Sequence, residues 1–113
     1  MRKKSERQLR VGLASIDITP ADSLPMGGYI ARTEPAAGTH DPLSAKAVSF
    51  RQGKTSAMLV ALDILYVSEQ WARKFRKAVS RKIGLPQKNV LVAATHTHSG
   101  PAVFSPTVPR AEP

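Results

Sequence analysis

The sequence contains no cysteine, which excludes disulfides, thiolate metal ligands and a catalytic thiol, and is compatible with a reducing compartment. Any metal site must draw on His, Asp, Glu or Tyr. Aromatic residues are scarce at 5%, which leaves little material for the stacking platforms that hold single-stranded nucleic acid. No apolar run approaches the roughly 18 residues that span a bilayer. The basic amino terminus is not followed by the apolar stretch of a secretory leader, because Asp17 and Pro20 interrupt it. No signal peptide is read, and a cytoplasmic location is expected.

Acidic residues are also few, 8 against 17 Lys and Arg, giving a net charge of +9. The excess sits in two places. Residues 1–10 carry Arg2, Lys3, Lys4, Arg7 and Arg10 against Glu6, and residues 68–83 carry Arg73, Lys74, Arg76, Lys77, Arg81 and Lys82 against Glu69. The rest of the chain is balanced, so basicity belongs to an arm and one helix face and not to a surface built throughout for phosphate.

With 113 residues there is at most one domain, and a 42% hydrophobic content supports a core. Nine prolines and seven glycines argue for many loops and against a helical bundle. Residues 1–10 read as a basic flexible arm and 102–113 as a Pro-rich tail. Between them, 11–19 alternates as a strand closed by Thr19-Pro20, and 20–42 reads as a long irregular loop of the kind that often carries a site. Residues 43–50 and 55–62 read as a hairpin about Gln52-Gly53-Lys54. Ser68 is the expected N-cap of a helix that sets Trp71, Phe75, Ala78, Val79 and Ile83 on one apolar face, with Trp71 and Phe75 in the core, and Gly84 and Pro86 stop it. Residues 89–94 then form a short, buried strand.

Strand, helix and strand in that order make a βαβ unit with the 55–62 and 89–94 strands parallel, so the class is α/β with a mixed sheet. Ligands in such sheets gather at the carboxyl ends of the strands, where Asp63, His96 and His98 fall and are expected to share one rim. Asp63 is a candidate substrate-binding residue, although a carboxylate approaching a helix is the commoner use of that position. Were the strand to continue, His96 and His98 would point to one face with Cα atoms about 6.6 Å apart. Two imidazoles do not complete a hydrolytic metal site. The available additions are His40, Asp41 and Asp63.

The sequence resembles the amino-terminal part of the neutral/alkaline non-lysosomal ceramidase family. Four pieces carry the resemblance, in family order: Val11-Gly12-Leu13-Ala14-Ser15-Ile16-Asp17-Ile18-Thr19-Pro20, Met26-Gly27-Gly28-Tyr29, Gly38-Thr39-His40-Asp41-Pro42-Leu43, and Asn89 through Ala94 into Thr95-His96-Thr97-His98-Ser99-Gly100-Pro101. The resemblance covers 11–101 and implies a zinc-dependent amidase that splits ceramide into sphingosine and a fatty acid, many bacterial relatives having no established substrate. It makes His96 the first Zn²⁺ ligand. His98 and His40 become catalytic side chains beside the substrate amide, and Gly28 a substrate-contacting backbone position, glycine allowing close approach.

The resemblance also implies further ligands, a second histidine, a glutamate and a tyrosine, and a serine in a Gly-Asp-Val-Ser-Pro-type motif, none of which is matched here. Ser105-Pro106 follows Val103-Phe104 without the Gly-Asp, so the serine's role is not carried onto it. The expectation is therefore an incomplete mixed-sheet α/β domain, a fragment of a larger catalytic domain, inactive alone and acting on a lipid or small amide only where a partner chain supplies the missing ligands. Relatives of this kind are often secreted. Two rivals stand beside it: a small basic binding protein whose arm and helix contact nucleic acid or anionic lipid, nucleic acid being the less expected, and a remnant without function.

Overall fold

The computed structural model describes residues 8–29 and 31–103. Most of the expected arm and tail, residues 1–7 and 104–113, lies outside the described residues.

Four strands, β1 (Arg10–Asp17), β2 (Ser44–Gln52), β3 (Thr55–Leu62) and β4 (Val90–Ala94), form one sheet in the order β1-β2-β3-β4. β1, β2 and β3 pair antiparallel, and β3 pairs parallel with β4 across the helix α1 (Glu69–Ile83). The mixed sheet and βαβ unit are as expected. β2 and β3 join through a two-residue turn in which Gly53 takes φ 58, a left-handed conformation that glycine enters without a Cβ clash. The last strand begins one residue later than expected. Asn89 belongs to a short 3₁₀ turn (Gln87–Asn89), and its side chain donates to the Ser56 carbonyl at 2.9 Å.

Helix α1 has both of its expected ends. Ser68 Oγ accepts from the Trp71 N–H at 3.1 Å. At the other end Gly84 takes φ 74, and its N–H reaches the Ser80 carbonyl at 2.9 Å. Glu69 in the first turn and Arg81 and Lys82 in the last complement the helix dipole.

The core is small: Val60, Leu62, Ala72, Leu85 and Val90. It lies between α1 and the face of the sheet that carries Val60, Leu62 and Val90. Trp71 corrects the expectation of a core position, for it is 44% exposed and stacks on half-buried Phe75 at 5.2 Å between ring centroids. The helix seats through Ala72 against β4 and the turn before it, which leaves the flank bearing Trp71 outside.

The other face of the sheet is uncovered among the described residues. Strand register places Leu13, Val48, Leu59 and Leu91 in one cross-strand row, with Val11 and Phe50 paired beside it. Leu13 is 82% and Leu91 62% exposed, so β4 is buried on one side only, against the expectation of a buried strand. Nothing among the described residues packs over this row.

Candidate functional site

The parallel pairing of β3 and β4 runs on beyond both strands, with the Thr95 N–H on the Leu62 carbonyl at 2.9 Å and the His96 N–H on the Ile64 carbonyl at 3.1 Å. The chain then turns sharply. His96 has φ 65, the one non-glycine with positive φ among the described residues. That conformation costs an L-residue roughly 1–2 kcal/mol, and such strain concentrates at functional sites. It also replaces the extended His-x-His geometry that the sequence suggests. The two imidazoles meet edge to face, 4.9 Å between centroids at 90°, instead of projecting side by side.

His96 Nδ1 lies 3.0 Å from the Leu65 carbonyl oxygen. A carbonyl only accepts, so this nitrogen carries the proton and donates, and in the neutral imidazole Nε2 then keeps its lone pair. A carbonyl partner of this kind is what orients and tautomerically fixes a metal-binding histidine. The Tyr66 ring flanks it at 5.3 Å.

His98 is half-buried, and its Nδ1 is shielded from solvent with no hydrogen-bond partner among the described residues. It packs against Gly28, which takes φ 109 and leaves no room for a side chain, since a Cβ there would come within 2.7 Å of the ring. The Tyr29 ring lies 5.1 Å from that of His98. The glycine loop is laced to the segment after the histidines: the Gly27 N–H donates to the Gly100 carbonyl at 3.0 Å and the Ala102 N–H to the Pro25 carbonyl at 2.7 Å. Arg32 adds hydrogen bonds from Nη1 to the carbonyls of His98 at 2.9 Å and Gly27 at 3.3 Å, with its guanidinium 4.8 Å over the Tyr29 ring. The sequence reading missed Arg32. Its acceptors are main-chain carbonyls, one of them 66 residues away, and no local pattern announces them.

Gly28, His96 and His98 therefore come together, while Asp63 and His40 take other surroundings. Asp63 accepts from the Ser44 N–H at 2.9 Å and Ser44 Oγ at 3.0 Å on one oxygen and from Thr95 Oγ1 at 3.1 Å on the other. The Ser44 N–H is the chief reason its carboxyl is held below the usual carboxylate range. It thus ties the start of β2 to the ends of β3 and β4. His40 Nδ1 pairs with Asp41 at 2.9 Å, and its side chain is 98% exposed. Both His40 and Asp63 line a concavity of about 900 Å³ with Thr97 and Ser99, a space that Gly28, His96 and His98 do not line.

His96 offers an oriented free nitrogen, but among the described residues no group of three or more His, Asp or Glu lies close enough together to hold a metal ion. No described helix is long and apolar enough to cross a membrane.

The architecture is that of an α/β domain whose site is assembled from loops at the carboxyl end of two parallel strands. Residues 9–109 match the family described as neutral/alkaline non-lysosomal ceramidase, N-terminal, and the chain belongs to this family. It is 33% identical over 104 residues to neutral ceramidase 3 of Arabidopsis thaliana, covering 88% of this chain and 14% of that protein. Neutral ceramidase 1 of the same plant is 34% identical over 105 residues, covering 88% of this chain and 13% of the relative. The solved neutral ceramidase of Pseudomonas aeruginosa superposes with a TM-score of 0.72 at 30% identity, over 83% of this chain and 16% of that one. The chain thus spans about a seventh of the length of the plant relatives it matches.

Proposed function

We propose that this chain contributes the first metal ligand and the amide-facing loop of a zinc-dependent hydrolase that cleaves the amide of ceramide, or of a related lipid or small amide. The observation that carries this reading is the left-handed His96 with its Nδ1 proton committed to the Leu65 carbonyl, leaving Nε2 free at the end of a parallel strand. Zinc, when bound, would supply Lewis acidity toward an amide carbonyl and lower the pKa of a water. The residues around it have their own tasks. His96 is the residue that would hold the ion. His98 donates to the carbonyl oxygen as it gains charge, and it can lie directly against the Gly28 backbone because no Cβ intervenes. His40, paired with Asp41, is placed as a proton carrier on the loop at the neighbouring concavity, and Asp63 holds the strand ends beneath that concavity.

One imidazole does not make a catalytic zinc site, so the remaining ligands come from outside the described residues, and the described residues are not expected to turn over an amide alone. Zinc titration of the purified chain, wild type against His96→Ala, tests the reading. The expected result is zinc binding that weakens at least about tenfold in the variant. Equal binding by the two proteins overturns the ligand role of His96.

A further inference from the structure

The contact between Gly28 and His98 joins segments far apart in sequence. Backbone hydrogen bonds flank it, from Gly27 to Gly100 and from Ala102 to Pro25. Arg32 stands over the Tyr29 ring beside it. Its Nη1 bridges the carbonyls of His98 and Gly27, its guanidinium covers the Tyr29 ring, and the Tyr29 ring in turn abuts the His98 imidazole. Every partner of Arg32 therefore belongs to, or adjoins, one of the two residues in contact. The turn that carries it is closed by its own N–H on the Tyr29 carbonyl at 3.1 Å. Its half-buried setting strengthens both charge-assisted bonds. The ion pairs found among the described residues, His40–Asp41 and Glu69–Arg73, do not involve it, so no carboxylate there draws the guanidinium away from the carbonyls.

We infer that Arg32 is a positioning residue: it clamps the Gly27-Gly28-Tyr29 loop onto His98 and so fixes where a substrate amide meets the imidazole, a chemical meaning that rests on the proposed amidase reading. A guanidinium suits this task better than an ammonium. Its planar fork can bridge two carbonyls and lie over an aromatic ring at once, whereas a lysine is a flexible point charge.

The test compares the full chain with Arg32→Ala and Arg32→Lys by NMR. Three quantities are read: cross-relaxation between the Tyr29 and His98 rings, hydrogen exchange of the Gly27 amide, and exchange of the β2–β3 amides as a control for folding. Loss of the ring contact and about tenfold faster Gly27 exchange are expected in Arg32→Ala, with partial recovery in Arg32→Lys and unchanged β2–β3 protection. An intact ring contact and unchanged Gly27 exchange in Arg32→Ala overturn the inference. So does equal loss at β2–β3 in both variants, since the role would then be general stability. Failure of the wild type to bind zinc counts against the proposed activity only, because the clamp is read without metal.

Discussion

The His98 imidazole occupies the volume that a side chain at position 28 would need, with the ring 2.7 Å from where a Cβ on Gly28 would lie. Replacing Gly28 with alanine therefore forces either the loop or the ring to move, and it strains a backbone held at φ 109. Gly28→Ala is expected to cost about 1–3 kcal/mol in chemical denaturation and to displace the His98 ring resonances. A variant as stable as wild type with unshifted His98 signals would show that the contact is dispensable.

Acid should loosen the rim through Asp63. Its carboxyl is held low mainly by the Ser44 N–H, so the folded pKa lies below the unfolded one. The stabilisation is thus present above the unfolded value of about 3.9 and is lost as pH falls through the folded value. Asp17 shifts the same way through its bonds to Thr19, which makes it the necessary companion variant. Unfolding midpoints followed from roughly pH 6 to pH 2 should fall steeply for wild type and less so for Asp63→Asn. Parallel curves would remove Asp63 from the acid response.

The two sides of the sheet should answer differently to the same chemical change. Leu62 is 7% exposed in the small core and Leu13 is 82% exposed on the open face. Leu62→Ala is expected to cost about 2–5 kcal/mol and Leu13→Ala to stay within about 0.5 kcal/mol, both read by urea denaturation of the chain. A large loss from Leu13→Ala would mean that its face is covered in solution.

The helix cap gives a local test. Ser68 Oγ accepts the Trp71 N–H, and without it that donor has no partner within the helix. Ser68→Ala is expected to lower stability by about 1 kcal/mol and to fray the first turn, visible as faster exchange of the Trp71 amide. Unchanged exchange there would show that water serves equally well.

The parts of this fold that sequence reading reached are those encoded by neighbours. Thr55–Leu62 and the two ends of α1 follow from turn and cap residues within a few positions of where they act. The parts it missed are set by distant backbone. The left-handed turn at His96 accompanies hydrogen bonds to the Ile64 and Leu65 carbonyls, and the clamp at Arg32 joins positions 66 apart. The exposure of Trp71 escaped for a related reason, because periodicity shows that a helix has an apolar face but not how wide a surface awaits it. At the candidate site, the His-x-His pair was legible through its residue types and Gly28 only through the family resemblance. The carboxylate of Asp63 was legible as a strand-end feature, and its hydrogen bonds to Ser44 and Thr95 were not.

The row from Leu13 across Val48 and Leu59 to Leu91 lies opposite a helix dense in lysine and arginine, so the described chain is a two-sided particle with one oily and one cationic surface. Its colloidal behaviour follows. At low ionic strength the net charge of +9 keeps copies apart, and as salt shortens the screening length to about 8 Å near 0.15 M that repulsion fades while the attraction between oily surfaces persists. Salt, which disperses many basic proteins by breaking their hold on polyanions, should make this one self-associate.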